Sequence, residues 1–144
     1  MPVTFQAEPS PRPARVIIIA MKDGLIPGLV HKRTYMTTME MRARQLSSDV
    51  LSTPSMIALM ERTSVELTTP YLDENEQTVG IHVDVKHFAP TKIGQSVTIT
   101  VELLEVNDNK LRFGVSAAND QGVKIGAGTH RRALIHTTQF AARS

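Results

Sequence analysis

A helix-start signal at Ser52-Thr53-Pro54 opens onto seven residues without a charge, Pro54–Met60. Thr is a favoured N-cap and Pro is favoured at the first helical position, so a helix is expected from about Pro54 to Thr68. It stops before Pro70, because the residue preceding a proline avoids the α region. Met56, Ile57, Ala58, Leu59 and Met60 surround most of its first half. A helix apolar on nearly every side is a buried helix, so other elements must wrap it.

Strands follow to do so. Thr78–Phe88 alternates Val79, Ile81, Val83 and Val85 with Gly80, His82, Asp84 and Lys86. Ser96–Val106 sets Val97, Ile99, Val101 and Leu103 against Thr98, Thr100 and Glu102. Leu111–Ala117 keeps Leu111, Phe113, Val115 and Ala117 in phase, and Val123–His136 forms the last strand. Asn107-Asp108-Asn109 and Asn119-Asp120-Gln121-Gly122 read as turns. Short turns between alternating segments make an antiparallel meander. Upstream, Leu29–Thr37 reads as a poorly patterned strand and Met39–Asp49 as a loop or short helix. Strand, buried helix and four antiparallel strands predict an α+β hotdog fold, an antiparallel sheet wrapped around one long central helix. The seven Met residues are expected to fill its core.

Composition narrows the possible functions. The 144 residues suit one domain. The absence of cysteine excludes a disulfide framework, thiolate-held clusters and a thiolate nucleophile. With no Trp, two Tyr and four Phe, stacking platforms for single-stranded nucleic acid are not expected. A net charge of +2 gives weak steering toward a polyanion. Four of the eight prolines fall at Pro2, Pro9, Pro11 and Pro13, so residues 1–20 read as a flexible proline-rich extension and 21–144 as the domain. The apolar stretch Val16–Met21 is too short for a secretory signal, and no segment approaches the ~20 apolar residues of a membrane span. A cytoplasmic protein with no nucleic-acid or membrane partner is expected. His31, His82, His87, His130 and His136 lack metal-ligand spacing, and no glycine-rich phosphate motif is present. Neither a metal nor an organic cofactor is expected.

Three residues could carry chemistry: Thr53, Glu61 and His87. Thr53 stands at a helix N-terminus, where the free N–H groups of Ser55 and Met56 would face a developing oxyanion. Glu61 is the first charge on the helix, with Ile57, Ala58, Ser64 and Val65 around it. Desolvation there would raise a carboxyl toward general-base range. His87 lies at a strand end. Eight helical residues rise about 12 Å, and a side chain leaning back toward the N-terminus shortens the gap. An imidazole with two hydrogen bonds spans roughly 7–8 Å. Either one histidine bridges Thr53 and Glu61, or the helices of two subunits bring the groups together. Each residue also has a plainer reading: Thr53 as a simple N-cap, Glu61 in solvent or beside Arg62, His87 as structural. His82, on the opposite strand face, and His130, after Gly126-Ala127-Gly128-Thr129, are rivals for the histidine. Those glycines could simply let a strand pack closely on the helix.

Ser52-Thr53-Pro54 with Leu59-Met60-Glu61, Thr78-Val79-Gly80 with His87 and Ala89-Pro90-Thr91, and Gly126-Ala127-Gly128-Thr129-His130-Arg131-Arg132 fall at telling spacings. Together, over about Met21 to Phe140, they resemble the fluoroacetyl-CoA-thioesterase-like branch of hotdog thioesterases. The resemblance implies a homodimer that hydrolyses acyl-CoA with a Thr/Glu/His triad, matched by Thr53, Glu61 and His87. It also implies Gly80 beside the reacting thioester and Arg132 as a basic residue of the last strand. Fluoroacetyl-specific members resemble one another in carrying lid phenylalanines before the threonine, whereas Met41–Leu51 has no aromatic residue. A short or medium acyl-CoA is therefore the expected substrate. A non-catalytic acyl-CoA-binding hotdog protein is the competing expectation, since a fold does not fix a function.

Overall fold

A computed structural model describes residues 22–143, so the expected extension over 1–20 lies outside the described residues. The chain runs β1 (Val30–Met36), a 3₁₀ turn (Met39–Met41), α1 (Thr53–Thr68), a 3₁₀ turn (Thr69–Tyr71) and β2 (Glu76–His87). It continues with β3 (Ser96–Asn107), β4 (Lys110–Asn119), β5 (Lys124–His136) and a short helix α2 (Thr137–Arg143). The strands form one antiparallel sheet in the order β1-β3-β4-β5-β2, which leaves β1 and β2 as its edges. This is the expected hotdog arrangement, with the expected elements within a few residues of their places. No helix among the described residues is long and apolar enough to cross a membrane.

The two central strands follow their alternation strictly. Val97, Ile99, Val101 and Leu103 of β3, and Leu111, Phe113, Val115 and Ala117 of β4, all face α1 and are buried. Met56, Leu59, Met60 and Leu67 meet them from the helix. Each of these side chains larger than alanine contributes about 1.5–3 kcal/mol on removal from water. Gly126 of β5 allows the helix to come close: a Cβ there would lie 2.6 Å from Met56 Sδ. The core takes Met56 and Met60, but Met36 and Met39 are exposed, so methionine is not uniformly a core filler here.

Two further departures shape the site. α1 is not covered all round: Met56 and Met60 are buried, but Thr53, Pro54 and Ala58 are exposed and Ile57 and Glu61 half-buried. One flank of an apolar helix is thus open. The alternation of β2 also breaks. Gly80 pairs with Arg132 and His82 with Arg131, so Ile81 bulges out of register. Before the bulge the helix-facing residues are Thr78 and Gly80; after it they are Val83, Val85 and His87, opposite His130, Gly128 and Gly126. One extra residue shifts the period-two phase of a strand. The simple odd–even reading, which put Gly80 and His87 on opposite faces, is corrected accordingly.

Strand β1 is tied to α1 by polar groups. Thr63 donates to the Leu59 carbonyl at 2.7 Å, so the buried Tyr35 hydroxyl donates to Thr63 Oγ1 at 2.9 Å. Glu66 accepts from His31 Nε2 at 3.0 Å and from Arg33 Nη1.

Candidate active site

The helix starts one residue earlier than its sequence signal suggests. Ser52, not Thr53, is the N-cap: its Oγ accepts from the Ser55 N–H at 3.1 Å, and its carbonyl from the Met56 N–H at 3.0 Å. The two amides expected to face an oxyanion are therefore occupied. Pro54 has no N–H, which leaves the Thr53 amide as the helix-end donor with no backbone acceptor among the described residues. Relieved of capping, the Thr53 hydroxyl turns outward to His87, with Oγ1 2.8 Å from Nδ1.

His87 is held in place from the strand side. It closes β2 opposite Gly126, and the Phe88 N–H donates to the Ile125 carbonyl at 2.8 Å. Burial pushes the imidazole below its ordinary 6.5, with the Ala89 backbone opposing. A neutral imidazole accepting from Thr53 at Nδ1 carries its proton on Nε2. That Nε2 is buried and has no hydrogen-bond partner of good geometry among the described residues. The pair lines an open cleft of about 800 Å³, walled also by Arg42–Leu46, Val50, Leu51 and Phe88–Pro90. The wall segment is anchored by the Ala43 N–H on the Val50 carbonyl and the Leu51 N–H on the Thr91 carbonyl, both at 2.8 Å.

Glu61 and Arg132 form a second cluster. Glu61 Oε2 lies 3.6 Å from Arg132 Nη1 and 3.9 Å from His130 Nε2. Arg132 is 5% exposed and held by Thr78, with Nε on Thr78 Oγ1 and Nη2 on the Thr78 carbonyl, each at 2.9 Å. Gly80 leaves room for the carboxylate: a Cβ there would stand 2.5 Å from Glu61 Oε2 and 3.3 Å from Arg132 Nη1. The Glu61 side chain is 41% exposed, on the open flank of the helix, rather than wrapped by apolar neighbours as expected.

The structure thus groups Thr53 with His87, and Glu61 with Gly80 and Arg132. Within one chain no histidine bridges the two groups. His87 pairs with Gly126 and Gly80 with Arg132, six residues along β5, or about 20 Å of strand. His82 is exposed on the far face, and only its carbonyl reaches this cluster, through His130. Sequence reasoning missed Thr78 and the capping role of Ser52. The Ser at the position before Thr-Pro was a usable signal for the cap; nothing local marked Thr78.

Known proteins share this arrangement of elements. Residues 33–138 match the family described as fluoroacetyl-CoA-specific thioesterase. Over 95 residues the chain is 41% identical to the fluoroacetyl-CoA thioesterase of Streptantibioticus cattleyicolor, covering 66% of this chain and 68% of that protein. A solved structure of a fluoroacetyl-CoA thioesterase superposes with a TM-score of 0.78 at 32% identity, covering 84% of this chain and 96% of the other. A hot-dog-like protein from Thermanaerovibrio acidaminovorans gives a TM-score of 0.78 at 21% identity, over 85% and 93% of the two chains, which speaks for the fold alone. On these matches the chain is a thioester hydrolase and belongs to the fluoroacetyl-CoA-specific thioesterase family.

Proposed function

We propose that this enzyme hydrolyses short or medium acyl-CoA thioesters, with Thr53, Glu61 and His87 as catalytic residues and Gly80 and Arg132 beside the bound thioester. The 2.8 Å contact between Thr53 Oγ1 and His87 Nδ1, in the wall of the cleft, carries the reading. A hydroxyl and a neutral imidazole at that distance form a proton-transfer pair. His87 takes a proton from Thr53, or from a water that Thr53 holds. The oxygen bonds to the thioester carbonyl carbon, the carbon–sulfur bond breaks, and the imidazolium returns its proton to the leaving CoA thiolate. Where Thr53 itself is acylated, a water deprotonated by the same imidazole then releases the acid. The Thr53 N–H and the positive end of α1 favour charge developing on the carbonyl oxygen.

Glu61 has a part in this scheme if it accepts the His87 Nε2–H and stabilises the imidazolium, as a carboxylate does in hydrolase triads. The strand spacing forbids that within one chain, so the proposal includes a homodimer. β2 is a sheet edge, and a second β2 can pair with it antiparallel. A two-fold axis near Val83 and Asp84, midway between Gly80 and His87, sets Gly80 of one chain beside His87 of the partner subunit. The exposed Ile81 and Val83 and the open flank of α1 support such an assembly. It is the second of the two geometries that the sequence left open.

The named relative acts on fluoroacetyl-CoA. Here the wall before Thr53 carries Arg42, Ala43, Arg44, Gln45 and Leu46, with no aromatic side chain, which favours a broader acyl preference. Incubation with a series of acyl-CoAs, following free thiol, tests both parts. The expected outcome is turnover of short and medium chains with no strong preference for fluoroacetyl over acetyl. No thiol from any of them would overturn hydrolysis; a strong fluoroacetyl preference would overturn the substrate range.

A further inference from the structure

We infer that His130 is a positioning residue of this site: its imidazole links the bulge of β2 to Arg132 and so holds the Glu61 carboxylate in place. This rests on the reading that Glu61 takes part in hydrolysis.

The geometry fixes what each ring atom does. His130 is 1% exposed, and its ring stacks on Phe113 with centroids 6.3 Å apart. Nδ1 lies 2.8 Å from the His82 carbonyl, which can only accept, so Nδ1 carries the proton. Nε2 is then a lone pair, and Arg132 Nη1 donates to it at 3.2 Å. The His82 carbonyl belongs to the residue just after the bulge, so the same ring fixes the point at which β2 changes phase. Arg132 is thus gripped on two sides, by Thr78 through Nε and Nη2 and by His130 through Nη1. Its Nη1 is also the atom that faces Glu61.

The charged and titratable groups facing this imidazole are Arg132 on β5, Glu61 on α1 and His82 on β2. Burial, the largest influence, pushes His130 below its ordinary value, and Arg132 and His82 act the same way against the His82 carbonyl and Glu61. The lone pair is kept at neutral pH. A protonated ring would present N–H to Arg132 and lose that bond. Few side chains offer a donor and an acceptor side by side on a rigid frame, and the glutamine amide is the nearest substitute.

The test compares His130→Phe, His130→Gln and Glu61→Gln. Phe keeps the ring against Phe113 but has neither donor nor acceptor. Expected for His130→Phe is a fall in kcat of about 10- to 100-fold, the scale of a slightly misplaced group, with KM changed less than about threefold. His130→Gln should regain most of kcat, and His130→Phe should cost nothing further in the Glu61→Gln background. If His130→Phe turns over normally while Glu61→Gln does not, the positioning role is overturned and the Glu61 reading stands. If Glu61→Gln turns over normally, the Glu61 reading fails and this inference with it. An equal loss in both backgrounds makes His130 merely structural. Imidazole nitrogen spectra of the unmodified enzyme at pH 7 give a check independent of folding in the variants. The Nδ1–H tautomer is expected, and an Nε2–H or cationic ring would overturn the assignment.

Discussion

Thr53 and Ser52 divide two jobs that the sequence assigned to one residue. Ser52 caps the helix, so the Thr53 hydroxyl is available to His87. Thr53→Ala and His87→Ala should each lower kcat by about 10²–10⁴-fold, and the double variant little further, because a broken pair cannot be broken twice. Steady-state thiol release measures all three. Gly80→Ala should act on Glu61: the new methyl would stand where the carboxylate now lies. That carboxylate is on an open flank and can swing away, so kcat should fall by about 10²-fold with little change in unfolding temperature. Protonated His87 cannot accept from Thr53. Burial within one chain holds its pKa below 6.5, and the carboxylate of Glu61 of the partner subunit pushes it back up, so kcat/KM should rise along an acid limb that Glu61→Gln moves to lower pH. A limb that Glu61→Gln leaves in place would contradict the shared site. Thr53, Glu61 and His87 were readable as candidates because each breaks a pattern: a hydroxyl at a helix start, a charge in an apolar run, an imidazole at a strand end. Their grouping was not readable, because it depends on strand pairing.

Among the elements, β3 and β4 were legible because a single period-two pattern sets their inner faces, and every residue so placed is buried. β2 was not, because its bulge inserts a residue without any gap in the apolar pattern. Gly80 within a strand was the one local hint, since glycine there often marks a bulge or a close approach. Deleting Ile81 should restore plain alternation and turn either Gly80 or His87 away from the helix. The expected result is loss of turnover by about 10²-fold or more, with amide exchange in β3 and β4 near normal, because β2 pairs with β5 and neighbours neither β3 nor β4 in the sheet. The link between β1 and α1 has its own signature. Burial alone would raise the Glu66 carboxyl, but hydrogen bonds from His31 and Arg33 outweigh it and hold the pKa below the usual 4.5. A depressed carboxyl pKa adds stability that is complete above the unfolded value and lost as pH falls through the folded one. Melting temperatures should therefore drop on acidification below about pH 4.5, and Glu66→Gln should flatten that part of the profile.

At the scale of the whole molecule, Lys22 reaches Asp73 and Glu76 at 2.8 and 2.7 Å, and Leu25 is buried, so the ordered body includes the chain from there on. A chain beginning at Lys22 should unfold at the same temperature and turn over at the same rate, and loss of either would place the domain boundary further upstream. The separation of Thr53 and His87 from Glu61 along the sheet has a consequence for inheritance. In the shared site proposed above, a Thr53→Ala chain and a Glu61→Gln chain are each inactive alone. Paired with one another they rebuild one intact site, from the threonine and histidine of the second and the carboxylate of the first. Random pairing should return about a quarter of normal activity. Thr53→Ala with His87→Ala should return none, since those two lesions fall in the same half. Two defective alleles in one cell would thus be healthy or sick according to which half of the pocket each one spoils.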